Sequence, residues 1–246
     1  MSCGRRVRAV AVAAAALGVC AWCLSAGPSW AAEEKDTRLI LFSGQDFWRN
    51  GAFLYGGLIW APRGVDRDGL LLKVLLAGGQ YRYVAGDLGG ASVTGTEGLA
   101  AVMPGWRIKR GPVEVKVFFG PEFQQHRLSP DDPGNQLRGG SLGLRFATEV
   151  WAEPTPATMI AADASLSSIG GNNSARAAFG WKAFDRFYIG PETQIYAGDG
   201  YKQTRFGAHI TSLKIGATEW SAAGGWARDT DNRSGAYLRI NVLTRR

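Results

Sequence analysis

Two histidines, His126 and His209, are the side chains best suited to moving a proton near neutral pH. His126 stands at the edge of RLSPDDPGNQL, close in sequence to Asp131 and Asp132. A histidine, an acid and a serine are the parts of an acyl-transfer centre, so this region is where a membrane esterase or acyltransferase would keep its base. The chain has no G-x-S-x-G stretch to present a nucleophile. Cysteine occurs only at Cys3, Cys20 and Cys23, and the two histidines lie far apart in sequence, so no metal-ligand spacing exists. No catalytic, cofactor-binding or metal residue is assigned, and the expectation is a non-enzyme without a cofactor.

Other polar stretches have plainer readings. Pro130-Asp131-Asp132-Pro133-Gly134-Asn135 has the donors for calcium or a sugar. It also has a turn's composition: proline fixes φ, Asp and Asn bond local backbone, and glycine supplies positive φ. The turn reading is favoured. Asp163-Ala164-Ser165-Leu166-Ser167-Ser168 places small polar groups on one run, which suits a narrow interior as well as a ligand. Trp48, Tyr83, Tyr201 and Trp226 could stack on sugar rings, although an interfacial girdle accounts for them without a ligand.

The elements that must carry these groups are strands. Runs of alternating polarity, closed by turn clusters, fall near 38–46, 52–61, 69–84, 91–105, 113–124, 139–152, 157–168, 174–184, 187–197, 201–213, 216–228 and 235–243. In SLGLRFATEV, Leu142, Leu144, Phe146 and Val150 share one face, and Gly143, Arg145 and Glu149 share the other. Val113, Val115, Val117 and Phe119 likewise oppose Glu114 and Lys116. Leu238, Ile240 and Val242 oppose Tyr237, Arg239 and Asn241. The 34 glycines, about twice the usual share, recur inside these runs and argue against helix.

The connections alternate between longer polar loops, including RLSPDDPGNQL, and mostly tight turns, with Pro62–Asp68 the exception. Trp60, Trp106, Trp151, Trp181 and Trp220 map to the tight-turn end, and Trp48, Tyr83, Tyr201 and Trp226 to the other. Loop asymmetry and two aromatic belts predict an all-β fold: an up-and-down antiparallel transmembrane β-barrel of about twelve strands. The apolar face would meet lipid and the charged face a closed lumen. A soluble periplasmic β-sandwich binding module is the competing architecture; its strands would be shorter, about 5–6 residues.

Arg5, Arg6 and Arg8 precede an uncharged run from Ala9 to Leu24, and Ser29-Trp30-Ala31 reads as a cleavage site. The predicted organisation is a signal peptide over 1–31, a polar N-terminal tail over 32–37 and an outer-membrane barrel over 38–246. Cleavage removes all three cysteines, so the exported chain has no disulfide to form. It also lowers the formal charge from +7 to about +4 by removing those three arginines. The remaining basic residues are scattered, and no nucleic-acid surface is expected.

From about Leu39 onward the chain resembles the cellulose biosynthesis protein BcsS family of proteobacteria. The resemblance is carried by MPGWRIKRG, FFGPEFQQHRLSPDDPGNQLRG, WAEPTPATMIAADASLSSIG, ARAAFGWKAFDRFYIGPETQIYAGDGY and EWSAAGGWARDTDNRSGAYLRINVLTRR. It implies outer-membrane β-structure in the service of cellulose production, and it carries over no catalytic residue. The chain departs from many outer-membrane barrels in ending Thr244-Arg245-Arg246 rather than on an aromatic. The expected function is an accessory outer-membrane barrel of cellulose biosynthesis or export. Its expected partners are outer-membrane lipid and cellulose synthase, export components or glucan. A small porin and a lipid-modifying barrel enzyme are the alternatives.

Overall fold

A computed structural model describes residues 37–198 and 200–246. The expected signal peptide and nearly all of the polar tail lie outside the described residues. Twelve strands follow one another: β1 (Leu39–Trp48), β2 (Gly51–Trp60), β3 (Gly69–Ala85), β4 (Ala91–Arg110), β5 (Val113–Ser129), β6 (Gly139–Thr155), β7 (Thr158–Ser167), β8 (Asn173–Ala183), β9 (Phe187–Gly198), β10 (Tyr201–Ile215), β11 (Thr218–Asp229) and β12 (Ser234–Arg245). Each pairs antiparallel with its sequence neighbours, and β1 pairs β12 from Ile40↔Arg245 to Trp48↔Tyr237, which closes the barrel. Closure removes the sheet edge over the height that all twelve strands share. The two-sheet sandwich is thereby overturned.

Period two fixes the facing of the side chains, and the polarity is inverted relative to a soluble core. Leu142 is 85% exposed and Phe206 68%, both on the outer wall. Arg205, Glu122 and Glu192 are each 1% exposed, inside. An apolar outer wall around a charged interior is stable only where the outer solvent is itself apolar.

Six connections (49–50, 86–90, 130–138, 168–172, the one through Gly200, and 230–233) lie at one end, called the long-loop end. Five (61–68, 111–112, 156–157, 184–186, 216–217) lie at the other with the C-terminus. At the long-loop end, β3–β6 rise above their neighbours. β2 stops at Gly51, opposite Tyr81, while β3 continues to Ala85; β7 stops opposite Arg145, while β6 begins at Gly139. Exposed Arg82 and Arg127 mark this raised wall as a wet surface.

The aromatic belts need correction. Trp60, Trp106 and Trp181 are exposed at the short-turn end as expected, and Trp226 at the long-loop end. Trp151 instead turns inward, edge-on to Tyr188 with ring centroids 6.0 Å apart. Trp48, Tyr83 and Tyr201 line the interior. Parity explains this: Trp151 alternates in step with Arg145 and Glu149, and Trp48 with Asp46.

Candidate functional site

The lumen is filled at one end and hollow at the other. At the short-turn end Ile40, Ile59, Leu71, Met103 and Phe118 form an apolar cluster inside the barrel. Val65 joins them from the 61–68 connection, which folds inward rather than lying flat. That connection is stapled down. Val65 N–H donates to Thr37 O at 2.7 Å, and the buried Arg107 guanidinium donates to Val65 O. Asp68 accepts from Lys109 N–H at 2.7 Å and from Arg110 at 2.5 Å. Arg110 and the Lys109 N–H hold the Asp68 carboxyl below its ordinary range. A second apolar cluster of Met159, Ala161, Ala178 and Tyr188 packs with Trp151 beneath β6–β9.

Charged side chains bridge the lumen above this floor. Lys73 on β3 reaches Glu149 on β6 at 2.5 Å, and Lys116 lies between Glu114 (3.0 Å) and Glu149 (3.4 Å). Lys73 also lies over the rings of Phe42 and Phe118, 5.3 and 5.1 Å from their centroids. On β9, Glu192 accepts from Arg176 at 2.7 Å and from Arg239 on β12 at 2.5 Å. Arg205 on β10 meets Asp46 on β1 at 2.7 Å and sits about equally near the rings of Trp48, Tyr196 and Tyr237. Such pairs survive burial because each charge is met by an opposite one. They also pin strands that are not neighbours in the sheet.

Through this network runs a cavity of about 1130 Å³, whose lining reaches down to Ile40, Ile59 and Met103 of the apolar cluster and to Glu114 and Glu219 near the short turns. Its lining draws on all six connections of the long-loop end, through residues such as Asn50, Asp87, Asn135, Asn172, Gly200 and Thr230. It includes no residue of the five short-end connections. The cavity is a well open at the long-loop end. Loop 130–138 bends over the raised wall: Asp132 accepts from Tyr83 Oη at 2.7 Å, and Asn135 Nδ2 donates to the same oxygen at 3.0 Å. Gly95 is needed beneath it, because a Cβ there would collide with the Tyr81 ring.

The sequence-derived candidates separate. His126 is buried with Tyr81 Oη 3.1 Å from Nδ1 and Gln124 Oε1 3.2 Å from Nε2. His209 is buried near the other wall, with Thr211 Oγ1 2.9 Å from Nδ1 and Phe179 O 3.0 Å from Nε2. The hydroxyls placed beside these rings are those of Tyr81 and Thr211. The Asp131–Asn135 stretch is a turn, with Asn135 N–H donating to Asp132 O at 3.2 Å. Asp163 and Ser165 face the lumen, where Asp163 pairs with Arg176 at 2.9 Å and Ser165 hydroxyl lies 3.1 Å from Arg145. What sequence reasoning missed was the well itself; the signal was the shared parity of Trp48, Tyr81, Tyr83 and Tyr201 with charged inward neighbours.

Among solved structures, an outer membrane channel from Pseudomonas putida F1 matches with a TM-score of 0.53, at 10% identity over 90% of this chain and 100% of that one. The KdgM porin matches at 0.44 with 12% identity, covering 83% and 98%. The transport unit of the Escherichia coli autotransporter AIDA-I matches at 0.42 with 10% identity, covering 88% and 92%. At these identities the likeness is one of fold. No curated protein matches the chain. The model of one family, cellulose biosynthesis protein BcsS, matches residues 40–246, and the chain belongs to that family.

Proposed function

We propose that this chain is an exported outer-membrane barrel that assists cellulose production as an accessory, with no catalysis of its own. Its partners in this reading are outer-membrane lipid around the wall and glucan or the cellulose synthesis and export components at its ends. Membership of a cellulose biosynthesis family supports the process. The apolar wall with its exposed tryptophans supports a lipid surround. The observation that carries the mode of action is the packed short-turn end. Met103 and Phe118 are fully buried inside the lumen, and Val65 is nearly so, so the apolar cluster narrows any path for a polymer at this end. An aid to assembly or retention at the outer surface fits this geometry better than a conduit.

In-frame deletion followed by a cellulose-binding dye assay tests the process. Reduced dye retention, restored by the wild-type chain, is the expected result. Unchanged polymer output overturns the reading. Fractionation of the same strain, with a gel run before and after heating, should place the chain in the detergent-soluble outer-membrane fraction with heat-modifiable mobility.

A further inference from the structure

We infer that the well is a binding site for a neutral saccharide, a short segment of glucan entering from the long-loop end. The identity of that sugar as a β-linked glucan rests on the accessory reading above; the site itself rests on four observations. First, the upper wall is aromatic. Trp48, Tyr55, Tyr83 and Tyr201 line it and are neither fully buried nor exposed. The C–H faces of a pyranose ring are apolar and pack on such rings, while its edge hydroxyls seek polar partners. Second, those partners stand between the aromatics: Asn50, Asp87, Asn135, Asn172 and Asp231.

Third, the charge of the lining disfavours an acidic ligand. Lys73, Lys116, Arg145, Arg176, Arg205 and Arg239 each lie within 3.0 Å of a carboxylate. Carboxylates outnumber lysine and arginine side chains in the lining as a whole. Below the mouth, where Arg82 stands exposed, an anionic sugar would have to break an internal pair to gain a cation. A neutral one needs only hydrogen bonds. Fourth, Arg239 lines the well, 8% exposed, and its Nε is a buried donor that finds no acceptor among the described residues. Such a donor is costly until an acceptor reaches it, and a sugar hydroxyl oxygen is one. The volume, about 1130 Å³, exceeds the roughly 300–1,000 Å³ of pockets that hold single small ligands. It suits several linked rings.

Calorimetric titration of the full-length barrel in detergent with cellohexaose, and separately with hexagalacturonate, tests the site. Saturable binding of cellohexaose is expected, with hexagalacturonate weaker by about tenfold or more. Tyr201→Ala and Asn172→Ala, each first shown to keep folded gel mobility, should each weaken cellohexaose by about tenfold. The outward-facing Trp226→Ala should leave it unchanged. No heat from cellohexaose, equal affinity for the acidic sugar, or indifference of both lining variants overturns the inference. These failures differ from those of the accessory reading. A deletion strain deficient in cellulose whose barrel binds no sugar loses the site alone. Tight cellohexaose binding with intact polymer output loses the process alone.

Discussion

Leu144 and Arg145 are adjacent and live in different solvents. Leu144 is 49% exposed on the outer wall, while Arg145 turns inward and donates to Glu122 at 2.6 Å. Alternation makes the assignment binary, so a charge moved by one position meets hydrocarbon instead of a carboxylate. Leu144→Arg should cost about 2–4 kcal/mol if this residue sits near the bilayer midplane. The measurement is urea unfolding of the barrel in lipid vesicles, read by heat-modifiable mobility; wild-type stability would show that the wall does not face lipid. This level of the structure was legible from polarity alone, since Leu142, Leu144 and Phe146 announce the outer face without any knowledge of the fold. The aromatics were harder. Assigning Trp48, Tyr83, Tyr201 and Trp151 by height along the barrel ignored their parity, and parity decides facing. The partners of the inner charges were not legible at all: Asp46 on β1 meets Arg205 on β10 across the β1–β12 seam, and Glu192 on β9 meets Arg239 on β12 past two intervening strands.

Among the elements, the 61–68 connection does the most that its sequence did not disclose. Pro62, Gly64 and Asp66 read as a surface turn. In the structure Val65 enters the lumen, held by Arg107, and Asp68 ties the returning chain to β4. The inward fold was hidden because its anchor, Arg107, belongs to a strand expected to end at 105; β4 runs on to Arg110. Asp68 gives this element its pH response. A carboxyl held below its unfolded value contributes stability that is complete above the ordinary range and is lost as pH falls through the lowered folded value. The connection should therefore resist proteolysis unchanged from neutral pH down to the usual carboxylate range, and loosen progressively as pH falls further. Asp68→Asn should loosen it already at pH 7. The check is limited trypsin digestion at neutral pH, with cleavage mapped to Arg63 and Arg67, and limited pepsin digestion at acid pH, with cleavage mapped to the 61–68 segment and its flanks. Early cleavage of the wild-type segment at pH 5 would contradict the anchoring.

For the whole molecule, strand number alone leaves the lumen undecided, because a barrel of this size can be filled or open. The strand count was legible from the turns, as was the up-and-down order from their alternation. Which end is shut was not, since it depends on side chains from β1–β6 and one folded connection converging on the same volume. The closed end predicts electrical behaviour. Ions crossing the barrel must pass the apolar cluster around Met103 and Phe118, both 0% exposed, with Val65 at 5%, and the Lys73–Glu149 bridge. An apolar constriction resists wetting, and an ion held there has lost its hydration without a replacement. The wild-type barrel reconstituted in planar bilayers should therefore give no stable conductance steps. Replacing the 62–67 segment by a short glycine linker withdraws Val65 and frees Arg107, which should admit water and produce discrete steps whose size does not depend on protein concentration. Silence from both proteins would place the seal higher, at the salt-bridge layer, and Lys73→Ala added to the shortened turn should then conduct. Steps from the wild type would mean that the packed end opens in a bilayer, and the well would be the mouth of a pore.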